Sequence, residues 1–148
     1  MSNTTLRTIV HAQWETVWDL LRDRIENPQR YQPLVLESKV IERSADWLIR
    51  EMKLQDTIIR ERISLDDKEK TIHSELLEHP LYSGTFVTRI VPTSTQNPMA
   101  PVYLEIDLGR LEQKTVHLAG AVITYKEMTA SLNDEMELIK KKAEEQEK

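Results

Sequence analysis

The sequence has no cysteine and only three glycines among its 148 residues. The first absence excludes disulfides, zinc–thiolate sites, iron–sulfur clusters and thiol nucleophiles. The second leaves glycine only at positions 84, 109 and 120. Glycine-rich phosphate-cradling loops are thereby excluded. The patterns GxGxxG, Walker A, HExxH, GxSxG and the EF-hand loop are all missing. A basic surplus is missing too. The formal charge of -5 argues against nucleic acid, whose binders carry a basic face. The longest stretch free of Asp, Glu, Lys and Arg runs from Ile90 to Leu104 and is broken by Pro92, Pro98 and Pro101. It falls short of the ~18–20 apolar residues of a membrane span. At the N-terminus Arg7 interrupts the apolar stretch and no cleavage site follows, so no signal peptide is read. The expected location is cytoplasmic, and the triplet Asn3-Thr4-Thr5 is a chance match to a glycosylation site.

What is present suits one domain over residues 1–148. A chain of this length buries about 68–70% of the surface it exposes when unfolded and needs no staple. Leu6–Val10 reads as a first strand. Trp14, Val17, Trp18, Leu21 and Ile25 then recur at helical spacing. Asn27-Pro28 ends that helix, and Pro28 opens a second short one closed by Pro33. Six strands rich in Ile, Val, Leu and Thr follow: Leu34–Arg43, Trp47–Lys53, Thr57–Leu65, Thr71–Glu78, Ser83–Val91 and Val102–Leu111. The gaps leave no room for helices, so the strands form an antiparallel meander. Val122, Tyr125, Met128, Leu132, Met136 and Ile139 make the stripe of a C-terminal helix from about Ala119 to Lys142. That is about 24 residues, or ~36 Å. Residues 143–148 show no apolar face and are expected to fray.

This order of elements resembles the START-like (SRPBCC) superfamily, which includes the birch-pollen allergen type, the polyketide cyclases and the lipid-transfer START domains. The opening Val10-His11-Ala12-Gln13-Trp14-Glu15-Thr16-Val17-Trp18-Asp19-Leu20-Leu21 is similar to the family's strand end and first helix. Arg24-Ile25-Glu26-Asn27-Pro28-Gln29-Arg30-Tyr31-Gln32-Pro33, Ile49-Arg50-Glu51-Met52 and Ile59-Arg60-Glu61-Arg62-Ile63 resemble the AtaL-like branch, named after a protein of a fungal acetylaranotin biosynthesis cluster. The chain departs from that branch after Leu77, in His79-Pro80-Leu81-Tyr82-Ser83-Gly84 and in the 92–101 loop. The resemblance implies an α+β helix-grip fold, with a curved antiparallel sheet of about seven strands around a long C-terminal helix and a cavity between them. It implies an apolar or aromatic small-molecule ligand. No cofactor, nucleic acid or membrane span is expected, and a homodimer is allowed. The leading expectation is a ligand-binding module. A polyketide cyclase or aromatase is the alternative, and a non-catalytic protein-interaction domain is the third reading.

Strand alternation singles out two charges on the apolar side. Leu48, Arg50 and Met52 share one face, and Ile59, Glu61, Ile63 and Leu65 share another. If Met52 pairs with Thr57, Arg50 lies opposite Ile59 and diagonal to Glu61, within reach of its long side chain. Such a buried pair is costly. It reads either as a structural pair or as an anchor in which Arg50 binds a carboxylate, carbonyl or phenolate. The anchor reading expects Arg50→Met to fold without binding ligand. Tyr82 and Phe86, flanking Gly84, are candidates for the cavity mouth, and Tyr125 for a hydroxyl facing the cavity. His73 and Glu75 share a strand face with His79 nearby, but a metal needs three or four convergent ligands and none is expected. Tyr103, Glu105 and Asp107 read as a solvated face behind an inner face of Val102, Leu104, Ile106 and Leu108.

Overall fold

The computed structural model describes residues 5–54, 57–113 and 125–148. Along the chain come β1 (Thr5–Val10), α1 (Trp14–Glu26), a 3-10 turn (Pro28–Arg30), β2 (Glu37–Arg43), β3 (Trp47–Leu54) and β4 (Thr57–Asp66). Then follow β5 (Thr71–Glu78), β6 (Tyr82–Pro92), β7 (Val102–Asp107), β8 (Leu111–Gln113) and α2 (Tyr125–Gln146). The sheet order is β1-β7-β6-β5-β4-β3-β2, and neighbours are antiparallel. β2 to β7 is the expected meander. β1 pairs with β7, so α1 carries the chain from one edge of the sheet to the other.

Alternation decides which residues face inward. Leu48, Ile63, Ile72, Phe86, Leu104 and Ile106 pack into one cluster with Trp18 and Leu21 of α1 and Met136 and Ile139 of α2. Fully burying a side chain of this kind stabilises the fold by about 1.5–3 kcal/mol. Among the described residues two bulges break the ladder. One extra residue, Ile41, lies between the pairs Val40↔Arg50 and Glu42↔Ile49. Another, Leu77, lies between Arg60↔Glu78 and Glu61↔Leu76. Bulges sharpen the local twist and bend the strand. Here they also leave Ile41 and Leu77 about half exposed on an otherwise alternating surface.

Three sequence expectations need correction. The second short helix is a single 3-10 turn, Pro28–Arg30. The strand expected over Val102–Leu111 is two strands, because the chain turns at 108–110 and β8 rejoins β6 further along. The turn is fastened by Gly109 N–H donating to Asp107 Oδ1 at 2.9 Å and by Leu111 N–H donating to the Leu108 carbonyl at 3.1 Å. The tail does not fray at 143: α2 runs to Gln146 and Ala143 is 0% exposed. A lone alanine gives too weak an apolar signal to reveal this. Two carboxylates secure the tail as well. Glu144 Oε2 accepts the His11 N–H at 2.9 Å, and Glu147 Oε1 accepts the Gln13 N–H at 2.9 Å. The start expected at 119 for the last helix lies outside the described residues. The face of Tyr103, Glu105 and Asp107 does point outward, but Glu105 is buried beneath Arg7. The Arg7 guanidinium lies 3.1 Å from Glu105 Oε2 and 4.6 Å from the centre of the Tyr103 ring.

The segment leading to the cavity hangs on Asp23. Its Oδ2 accepts the Tyr31 hydroxyl at 2.7 Å, and its Oδ1 accepts Asn27 Nδ2 at 2.9 Å and Arg30 Nη1 at 2.7 Å. Burial alone would raise the Asp23 carboxyl, but the Tyr31 and Asn27 hydrogen bonds and the Arg30 charge hold it below its ordinary range. Burial, and then the bond to Asp23, pushes the Tyr31 hydroxyl well above its ordinary value of 10.0. Because the folded value is the higher one, this contribution to stability is whole below about pH 10 and fades as pH rises further. In a 295 nm titration of the folded protein, the Tyr31 hydroxyl should ionise late. That late component should shrink in Tyr31→Phe. A late component undiminished in Tyr31→Phe would refute the assignment.

Candidate functional site

Between the inner face of the sheet and α2 lies a cavity of about 210 Å³. Among the described residues its apolar wall includes Met52, Ile59, Leu76, Phe86, Leu111 and Leu132. The sheet residues reach it because they occupy inward positions on β3 to β6 and β8. Leu132 reaches it from the apolar stripe of α2. Four charged side chains also line it: Arg24, Arg50, Glu61 and Glu135.

Arg50 and Glu61 are directly opposite each other across β3 and β4, not diagonal. The hairpin pairs Leu54 with Thr57, two residues from the expected register, while the connection 55–56 lies outside the described residues. A slip of two preserves the face of every side chain, whereas a slip of one would have put the two charges on opposite faces of the sheet. Arg50 Nη2 donates to Glu61 Oε1 at 2.7 Å, and the two side chains are 8% and 5% exposed. Arg50 Nη1 donates to the carbonyls of Arg24 at 3.2 Å and Ile25 at 3.1 Å. These belong to the last turn of α1, whose carbonyls have no partner within the helix. Arg50 thus caps α1 as well as pairing with Glu61. Its Nε is buried and has no hydrogen-bond partner among the described residues.

A second ion pair also lines the cavity. Arg24 Nε donates to Glu135 Oε1 at 2.9 Å, joining α1 to α2. Burial would lower the Arg24 guanidinium, but Glu135 more than offsets it and holds the group above its ordinary value. The sequence reading missed both residues, although the signal was available. Glu135 lies three residues after Leu132 and seven after Met128, and Arg24 lies three after Leu21 and seven after Val17. Both are charges on an apolar stripe.

The other candidates separate. Phe86 lines the cavity. Tyr82 is buried but does not reach the cavity surface as described, and its ring centre stands 5.6 Å from that of His79. The backbone of Tyr125 lies in α2, and its side chain lies outside the described residues. His79 lines the cavity, whereas His73 and Glu75, weighed with it as a metal grouping, are exposed. Its Nδ1 accepts the N–H of Leu81 at 3.1 Å and of Tyr82 at 3.2 Å. An accepting Nδ1 places the proton of the neutral ring on Nε2. Gln32 Nε2 donates to Ser131 Oγ beside the cavity. Among the described residues no three His, Asp or Glu side chains converge as metal ligands do.

Residues 9–145 match the family model described as acetylaranotin biosynthesis cluster protein L, AtaL. The chain belongs to the AtaL family. No curated protein sequence matches this AtaL-family chain. Solved structures do. XoxI from Bacillus cereus superposes with a TM-score of 0.70 at 16% identity, covering 100% of this chain and 99% of its own. A START superfamily protein from Mycobacterium smegmatis gives 0.67 at 15%, with 96% and 97% covered. The Zhui aromatase/cyclase from Streptomyces sp. R1128 gives 0.61 at 16%, with 97% and 89% covered. At such identities the likeness is one of fold. This AtaL-family chain has the START-like helix-grip architecture, a curved open antiparallel sheet with a long C-terminal helix. No helix among its described residues is long and apolar enough to cross a membrane.

Proposed function

We propose that this AtaL-family protein binds an apolar or aromatic small molecule in the cavity between the sheet and α2. The observation that carries this reading is the unpartnered, buried Nε of Arg50 within an otherwise largely apolar wall. A buried donor left without an acceptor costs about 1–3 kcal/mol, and a ligand oxygen would remove that cost. The size is adequate: an apolar cavity of ~150 Å³ takes up benzene, so about 210 Å³ accepts a ligand of one or two rings. Both cavity carboxylates are held by arginines, which favours holding a ligand over the acid–base work of a cyclase.

The neutral dye 1-aminoanthracene should bind with a blue shift and enhanced emission. Met128→Trp places a larger side chain at the cavity wall from α2. It should abolish binding while the far-ultraviolet circular dichroism stays unchanged. Equal binding by this folded variant, or none by the parent protein, would sink the reading.

A further inference from the structure

We infer, resting on the binding role just proposed, that the cavity selects an electrically neutral ligand bearing a hydrogen-bond acceptor, such as an aromatic ketone, and rejects the corresponding carboxylate. Two arginines lining a cavity look like an invitation to an anion. Here each is already neutralised. Arg50 faces Glu61 at 2.7 Å and Arg24 faces Glu135 at 2.9 Å, so the four charges sum to zero. The side chains of all four are 11% exposed or less, and water does little to screen a fifth charge.

The backbone adds to the same bias. α1 directs the carbonyls of Arg24 and Ile25 at this spot, and a helix C-terminus carries partial negative charge. A carboxylate entering the cavity would lose its hydration and meet two carboxylates and a negative helix end. It would gain the Arg50 Nε donor, which has no partner among the described residues. A ketone oxygen gains the same donor without bringing a charge. Shape and apolar surface are nearly equal in the two ligands, so the preference is set by electrostatics.

The test uses the full chain near neutral pH and two bicyclic probes of matched shape, 2-acetonaphthone and 2-naphthoate, each displacing bound 1-aminoanthracene. The ketone should bind at least tenfold more tightly. In Glu135→Gln the Arg24 guanidinium loses its counter-charge, so 2-naphthoate should gain at least tenfold while the ketone changes less than threefold. Glu61→Gln, which frees Arg50 instead, should show the same gain for 2-naphthoate and serves if the first variant does not fold. Naphthoate binding the parent protein as well as the ketone does would overturn charge selection and leave the binding role standing. So would the absence of any gain in a folded Gln variant. Failure of the dye and both probes to bind the folded parent protein would overturn the two together.

Discussion

Glu61→Leu is expected to destabilise the protein by about 3–5 kcal/mol, the usual consequence of removing one member of a buried ion pair. The variant leaves the Arg50 guanidinium in a site where its side chain is 8% exposed. Arg50→Met should be comparably damaging for two reasons. It strands Glu61, and it strips the α1 carbonyls of Arg24 and Ile25 of their donor. Loss of ligand by Arg50→Met alone would therefore confuse a damaged fold with a lost anchor. The double variant Arg50→Met/Glu61→Leu separates the two. With both charges gone and apolar groups of similar size in place, it should recover most of the lost stability. Urea denaturation of the four proteins measures the coupling. Single variants costing under 1 kcal/mol, or a double variant as unstable as the sum of the singles, would show that the pair is not the buried unit described.

The second large effect is expected at Gly84, where β6 pairs with β5 on one side and β8 on the other. Its φ is +98°, a region that residues with a side chain rarely adopt. A Cβ there would stand 2.3 Å from the backbone oxygen of Arg110. Backbone strain alone costs about 1–3 kcal/mol. A clash with backbone adds to this, because no flexible side chain can swing aside. Gly84→Ala should cost about 3 kcal/mol or more, read from urea denaturation. The strain has one local outlet, the detachment of β8. In that case the amides of residues 111–113 should exchange hydrogen much faster than in the parent protein. Dye affinity should fall with them, since Leu111 lines the cavity. A variant with parent-like stability and protected amides would show that the residue is not confined as described.

The contrast between the two ion pairs shows what the sequence makes legible. Arg50 and Glu61 were visible because strand alternation is a rule of period two, and an even slip in register leaves faces unchanged. Their direct opposition was not visible, because it depends on a connection whose length the strand pattern does not specify. Arg24 and Glu135 sit on helical stripes. Their meeting depends on the packing of two helices 111 residues apart, which no local period encodes. Leu77 and Ile41 follow the same logic. A bulge is an extra residue whose meaning appears only when the partner strand is laid beside it. The tail was misjudged because its buried contact is an alanine and its hydrogen bonds come from carboxylates that read as solvated.

The two ends of α1 set an order on folding. Its first turn is completed by Glu147, which accepts the Gln13 N–H across 134 residues and also accepts the Thr16 hydroxyl at 3.2 Å. Its last turn is completed by Arg50. During synthesis α1 leaves the ribosome early, yet one of its ends finds no partner until residue 147 has followed. β1 likewise waits for β7. Neither element can settle from the N-terminal end alone. Their assembly requires closing nearly the whole chain into a loop, the kind of distant contact that slows folding.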